Sequence, residues 1–295
     1  MANLKEVRVR IASIKSTRQI TSAMKMVSAS KLRKGQNAIQ NLRPYEEQLR
    51  QILDNINKGL KQEDKNVLCL PKPAKQVLVI LVAGNKGLCG TFNTNLAKKT
   101  VIHLRELKEQ NYEPRLWIIG RKAEEFFKKS TYIIDECFHD LIDTVTVDDA
   151  FAFARRAMEV IEKGVYQKVD IVYTQFINAA TYKLFAEQIL PMALDASPYS
   201  EPETVNKDDF EYIIEPSRKE ILDELVPKVI QTYFYRILLD SFTSEQGARM
   251  TAMHKATDNA TELLKNLTIT YNKVRQASIT NEIVEIVGGA EALNS

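Results

Sequence analysis

Apolar residues recur at helical spacing over both ends of this 295-residue chain and at strand spacing between them. Leu4, Val7, Ile11 and Ile14 follow alternating steps of three and four, the seam of a coiled coil. The apolar positions then shift phase to Ile20, Met24 and Val27, and again to Leu32, Ile39 and Leu42. Slips of that kind relax a supercoil locally. Pro44 falls inside the pattern, where a kink or bend is expected because its ring crowds the preceding turn. Leu49, Ile52, Leu53, Ile56 and Leu60 resume the repeat. A helix over residues 4–58 is about 80 Å long at 1.5 Å per residue. That is a rod rather than a globule.

The other end of the chain carries a longer pattern. Pro216 opens it, and Ser217 and Glu220 stand at capping-box spacing, with the hydroxyl expected to accept a free amide and the carboxylate to reach back. Ile221, Leu225, Val229, Ile237, Leu238 and Phe242 lead into Ser244–Leu293, which has no proline and no glycine between Gly247 and Gly288. Pro227 and Gly247 are the weak points. From Ser217 to Val287 a helix runs roughly 105 Å. No compact domain offers core enough for such a helix, so it needs a partner of similar length. The N-terminal pattern is the one candidate, which makes an antiparallel pair.

Between them the period changes. Lys61 to Pro73 is a polar linker. Gln76 to Ala83 reads as a buried parallel strand, followed by the turn GNKGLCG and a helix from Asn93 to Gln110. Arg115 to Gly120 repeats the plan, with a helix from Lys122 to Lys129 and a short strand from Tyr132 to Asp135. Val147 to Gly164 is an amphipathic helix capped by Asp148 and closed by Gly164. Lys168 to Phe176 and Tyr182 to Pro191 are two further strands, residues 195–210 an exposed loop, and Phe210 to Glu215 a last strand. Strands alternating with helices predict an α/β layer domain with a largely parallel, Rossmann-like sheet. The predicted organisation is therefore an N-terminal shaft helix over 1–60, an inserted α/β domain over 61–215 and a C-terminal shaft helix over 216–295.

Charge sharpens the asymmetry. Residues 1–60 hold 12 Lys and Arg against 4 Asp and Glu, and the remainder 29 against 34. A basic, acid-poor start can be a transit peptide, but the pattern runs unbroken past any cleavage point. No run of 18 apolar residues occurs to span a membrane. Cys69, Cys89 and Cys137 are odd in number and lack a C-x-x-C pair, so a reducing compartment is expected and neither a disulfide framework nor a zinc site is indicated.

The glycine turn is either a tight structural turn or a phosphate cradle, since turns between strand and helix expose backbone N–H groups. It fits neither G-x-G-x-x-G nor G-x-x-x-x-G-K-[ST]. Cys89 within it is either a packed thiol or one activated by the helix start. His103 and His139 are isolated, Asp148 and Asp149 start a helix, and no catalytic set assembles from spacing. Lys15, Arg18, Lys25, Lys31, Arg33 and Lys34 surround the N-terminal helix. They form a solvated face, a collar for acidic protein loops, or a nucleic-acid surface. The functions open from residues alone include a nucleotide-dependent α/β enzyme with helical extensions and a coiled-coil nucleic-acid binder. In TSAMKMVSAS, Met24 and Met26 flank Lys25 among small residues that let a second body lie close.

RIASIKSTRQITSAMKMVSASKLRKGQ from Arg10 and the stretch from Ser244 to Leu293 resemble the N- and C-terminal signatures of the gamma subunit of F-type ATP synthase, and GNKGLCGTFN stands where that family has its GLCG segment. The resemblance covers the whole chain. It implies a non-catalytic rotor shaft inside a ring of three alpha and three beta subunits, with the α/β domain meeting the epsilon subunit and the membrane rotor ring (the c-ring). It implies that Met24 and Lys25 face the beta subunits' moving lever. Arg249, Gln276, Thr280 and Glu282 would meet beta-subunit loops that catch the shaft. It implies no cofactor, no metal, no nucleic-acid partner and no direct insertion into the membrane. The regulatory cysteine insert of the chloroplast branch has no counterpart here, so thiol control of that kind is not expected. A start at Met1 directly on the shaft points to the cytoplasmic face of a bacterial cell membrane.

Overall fold

The computed structural model describes residues 4–57, 66–70, 73, 75–192 and 215–294. Two compact units emerge, one from Met1–Ala29 with Arg249–Ser295 and the other from Ser30–Ala248.

Helix α1, Leu4–Asn57, passes through Pro44 without ending. Pro44 is exposed, so the carbonyl of Gln40 that loses its partner can turn to water. Along α1 the shielded positions keep an unbroken step of three and four: Leu4, Val7, Ile11, Ile14, Arg18, Thr21, Lys25, Ser28, Leu32, Gly35, Ile39, Leu42, Glu46, Leu49, Leu53 and Ile56. The expected phase slips do not occur. Ile20 and Val27 are 60% and 58% exposed, while polar and small residues hold the seam in their place. A strict seven-residue repeat keeps one stripe facing the partner whatever fills it. Size, rather than apolarity, is then what each position must satisfy.

The partner is α5, Arg218–Asn294, a single helix of 77 residues that contains both Pro227 and Gly247. At its start, Ser217 Oγ accepts from the Glu220 amide at 3.3 Å and donates to the Glu220 carboxylate at 2.7 Å. The cap is therefore real, but its return bond ends on the hydroxyl rather than on the backbone. In the larger unit, Arg236 Nη1 donates to Glu46 Oε1 at 2.7 Å. A Cβ on Gly35 would lie 2.2 Å from Thr243 Oγ1. As α1 rises, α5 descends, so the two are antiparallel. In the terminal unit, Thr257 Oγ1 donates to Thr21 Oγ1 at 2.9 Å.

The sheet has the order β3-β2-β1-β4-β5. Strands β1 (Gln76–Val82), β2 (Glu113–Ile119), β3 (Ile133–Phe138) and β4 (Lys168–Asn178) run parallel, and β5 (Thr181–Leu190) pairs antiparallel with β4. Asn178 Oδ1 accepts from the amides of Ala180 and Thr181 at 3.0 and 2.8 Å, which closes the β4–β5 turn. Alternate residues of β1 feed opposite cores, as the strand's two-residue period requires. Val77, Val79 and Leu81 pack with α2 (Phe92–Glu109) and α3 (Arg121–Phe127). Leu78, Ile80 and Val82 pack with α4 (Val147–Glu162), the end of α1 and the first third of α5. Helices on both faces make this a doubly wound layer.

Helix α4 is capped by Thr146, not Asp148. The Thr146 hydroxyl accepts the Asp149 amide at 3.2 Å, because the cap residue must stand one place before the helix with extended backbone. Gly164 closes it with φ of 70°. The loop 195–210, the strand over Phe210 to Glu215 up to 214 and most of the linker 61–73 lie outside the described residues.

Phe153 of α4 meets Trp117, Phe138 and Phe234 edge-on, with centroids 5.9, 5.0 and 5.6 Å away. One ring therefore joins α4, β2, β3 and α5. Phe153→Ala is expected to cost about 3–5 kcal/mol, read as a lowered denaturant midpoint in the fluorescence of Trp117, the chain's one tryptophan. Gly247 lies within α5 under the β4–β5 turn, where a Cβ would come 2.9 Å from the Ala179 carbonyl oxygen. Gly247→Ala gains about 1 kcal/mol of helix propensity but presses on backbone. The expected net result is a lower melting temperature, and a rise would show that the turn moves freely.

Candidate functional site

In a doubly wound sheet, ligands enter at the carboxyl ends of the strands where the order reverses. Here that place lies between β1 and β4, and the glycine turn after β1 sits over it. The turn is committed to its own structure. The Gly84 amide donates to Asn93 Oδ1 at 2.9 Å, and Asn93 Nδ2 donates to the Lys86 carbonyl and to Cys89 Sγ, both at 3.3 Å. Asn85 Oδ1 accepts from the Arg121 amide at 2.9 Å and its Nδ2 donates to the His139 carbonyl. Leu88 and Gly90 take positive φ, 61° and 63°.

The crevice itself is closed by α5. A Cβ on Gly84 would lie 2.6 Å from the carboxylate of Glu245, which is buried. A carboxylate beside Gly84 opposes phosphate there by repulsion and by volume. This contact and the turn's own hydrogen bonds weigh on the side of the structural turn in reading GNKGLCG. Cys89 is 3% exposed, a packed thiol.

The histidines are not isolated. His103 Nε2 lies 2.8 Å from Asp170 Oδ2, which Lys168 Nζ also meets at 3.1 Å. His139 Nε2 lies 2.7 Å from Glu124 Oε2, and Lys128 Nζ 2.9 Å from Oε1. Lys128, then His139, hold the Glu124 carboxyl below the usual carboxylate range against its partial burial. Beside it, burial and then the Glu124 charge push the Cys137 thiol up to about 11. A nucleophilic cysteine needs the opposite shift. These clusters tie helices to strands. Among the described residues, no group of His, Cys, Asp and Glu is arranged to hold a metal ion.

The six residues singled out for partner contact lie in the terminal unit. Met24 and Lys25 are half-buried, with Lys25 on the α1 seam itself. Arg249 is buried, at 7% exposure. Gln276, Thr280 and Glu282 are exposed. At 3.6 residues per turn, Gln276 and Thr280 share a face and Glu282 points about 120° away from Gln276. Glu282 instead accepts from Ser278 Oγ at 3.5 Å.

The exposed face of α5 has two further properties. Ile279, Ile283, Ile286 and Val287 form an apolar stripe beside Gln276, each about half exposed or more. Thr261, Thr268, Thr270 and Thr280 donate their hydroxyl protons to carbonyls four residues earlier, at 2.7–3.0 Å. Their outward surface is then a methyl group and an oxygen.

One site escaped the sequence reading. From Asp240 to Gly247 all residues but Phe242 are buried, and most are polar. Asp240 lies against Arg236, Ser241 Oγ accepts the Thr174 amide at 3.4 Å, and Glu245 covers Gly84. A signal existed: the core-facing spacing of Ile230, Phe234 and Ile237 continues into Ser241 and Ser244. Polar residues at core positions of a helix mark a place where it is gripped by backbone rather than by side chains.

The family model described as ATP synthase matches residues 3–293. The ATP synthase gamma chain of Flavobacterium psychrophilum is 46% identical over 293 residues, 99% of each chain. That of Christiangramia forsetii is 45% identical over 295 residues, the full length of both. In fold, the chain is similar to one in the cryo-EM structure of the Euglena gracilis mitochondrial ATP synthase, OSCP/F1/c-ring in rotational state 3. The TM-score is 0.63 at 24% identity, covering 98% of this chain and 94% of that one. The chain belongs to the ATP synthase gamma chain family.

Proposed function

We propose that this chain is the central rotor shaft of a proton-translocating ATP synthase, turning within a ring of three alpha and three beta subunits on the cytoplasmic face of a bacterial cell membrane. A gamma chain is a non-catalytic subunit of the synthase. Among the described residues, no helix is long and apolar enough to cross a membrane. In this reading residues 1–60 and 216–295 act as the shaft. The α/β domain over 61–215 is the foot that meets the epsilon subunit and the c-ring. Met24, Lys25, Arg249, Gln276, Thr280 and Glu282 are the groups by which beta subunits feel its angle.

The observation that carries this reading is the surface of α5 beyond Ala260. Between exposed charged and amide residues such as Lys273, Arg275 and Glu285 it is apolar or hydroxylated, and its threonine protons are already bonded to the helix's own carbonyls. Those apolar and hydroxylated positions can pass a neighbour's acceptors without forming new hydrogen bonds at each step. The angle must still be read. A shaft biases a catalytic site only by the difference in its contacts with the open and closed forms. Moving a site from 1:99 to 99:1 takes about 5.5 kcal/mol of such difference. Single contacts of about 1–3 kcal/mol do not reach that, so several must act together. The separation of Glu282 from Gln276 by about a third of a turn, and from Thr280 by nearly half a turn, lets different angles engage different groups.

Met24→Lys places an ammonium in a half-buried position among small residues, where it has no designed partner. In the assembled synthase, ATP-driven proton pumping is expected to fall severalfold, with the melting temperature of the complex unchanged. Normal pumping at an unchanged hydrolysis rate would remove Met24 from the contact set.

A further inference from the structure

Asp240 is the most deeply placed acid of α5 in the larger unit, with its side chain 5% exposed. Its surroundings are Arg236 on its own helix, Arg43 and Glu46 from α1, and the Phe176 amide from β4, which donates to it. That amide lies at the register shift of β4 between Phe176 and Asn178. Arg236 is the only cation in direct contact among these, and it is shared. Its Nη1 stands 2.7 Å from Glu46 Oε1, while its Nε stands 3.7 Å from Asp240 Oδ2. Two carboxylates thus compete for one guanidinium, and the buried one holds the longer contact.

We propose that Asp240, Arg236 and Glu46 form a proton-responsive latch between α5 and α1. With Asp240 protonated, Arg236 is left wholly to Glu46 and the cross-link between the helices is closed. With Asp240 ionised, a buried charge draws the guanidinium back along α5 and the cross-link is contested. The direction of titration supports the latch. Burial raises the Asp240 carboxyl from 3.8 to about 7, with Arg236 and the Phe176 amide opposing, Glu46 adding to the rise and Arg43 opposing it. Since the folded value lies above the unfolded one, the stabilisation is complete below about pH 4. It is lost as pH rises through about 7. The latch therefore closes on the acid side of neutrality.

The test is thermal unfolding of the full-length chain between pH 4 and 9, with carboxyl-labelled aspartate followed by NMR. The expected result is a melting temperature that falls as pH rises from about 4 and levels off near 7, a fall absent in Asp240→Asn. In Glu46→Gln the levelling point should move to lower pH, because Arg236 becomes free to pair with Asp240. A fall of the same size in Asp240→Asn, or a levelling point that stays or rises in Glu46→Gln, would overturn the latch. If either variant fails to fold, the unmodified chain decides. An Asp240 carboxyl signal titrating near 7 upholds the proposal, and one titrating in the ordinary carboxylate range overturns it.

Discussion

A coiled-coil seam must be filled at every step, and the step is set by geometry rather than by composition. Along α1 the three-four repeat holds from Leu4 to Ile56 although six of its sixteen positions are polar or glycine: Arg18, Thr21, Lys25, Ser28, Gly35 and Glu46. The helix does not rotate to bring Ile20 or Val27 inward, because doing so at one turn would displace every later turn. The polar positions are then settled locally. Thr21 bonds Thr257, Glu46 takes Arg236, and Gly35 yields its side-chain space to Thr243. Apolar groups left outside become surface.

The same constraint explains how α5 changes character along its length. Up to Leu239 it lies on the sheet with α4 and the end of α1, and among the described residues its burial is apolar but for Thr232. From Asp240 to Gly247 it is enclosed by backbone: the β4–β5 turn at Gly247, the glycine turn at Gly84 and α1 at Gly35. Backbone brings amides and carbonyls, so Ser, Thr, Asp and Glu replace Leu and Ile there. Thr174 Oγ1, Thr243 Oγ1 and Ser244 Oγ are nonetheless buried without a protein partner among the described residues. Polar density is concentrated at one level of one helix.

Much of this was legible in sequence. The two long helices, the alternation of strand and helix between them and the capping role of Ser217 follow from period and spacing. The misread features share a cause. Apolarity alone predicts a phase slip at Ile20, whereas the seam is defined by position. His103 and His139 looked solitary because Asp170 and Glu124 lie 67 and 15 residues away and reach them only through the sheet. Asp148 looked like a cap because Thr146 is one place outside the apolar pattern. The glycine turn was ambiguous because its decisive neighbour, Glu245, is distant in the chain. Local period reports what a segment is, and long-range pairing decides what it touches.

The back-bonded threonines of α5 carry one last consequence. With their protons spent on the helix itself, Thr261, Thr268, Thr270 and Thr280 offer a neighbour only oxygen lone pairs and methyl groups. Such a surface discriminates by polarity of a particular kind. Carbonyls and carboxylates brought against it gain nothing at these hydroxyls, whereas amide, guanidinium or ammonium donors can still bind. At these four positions an enclosing body is held where it offers protons of its own, and slips where it offers acceptors.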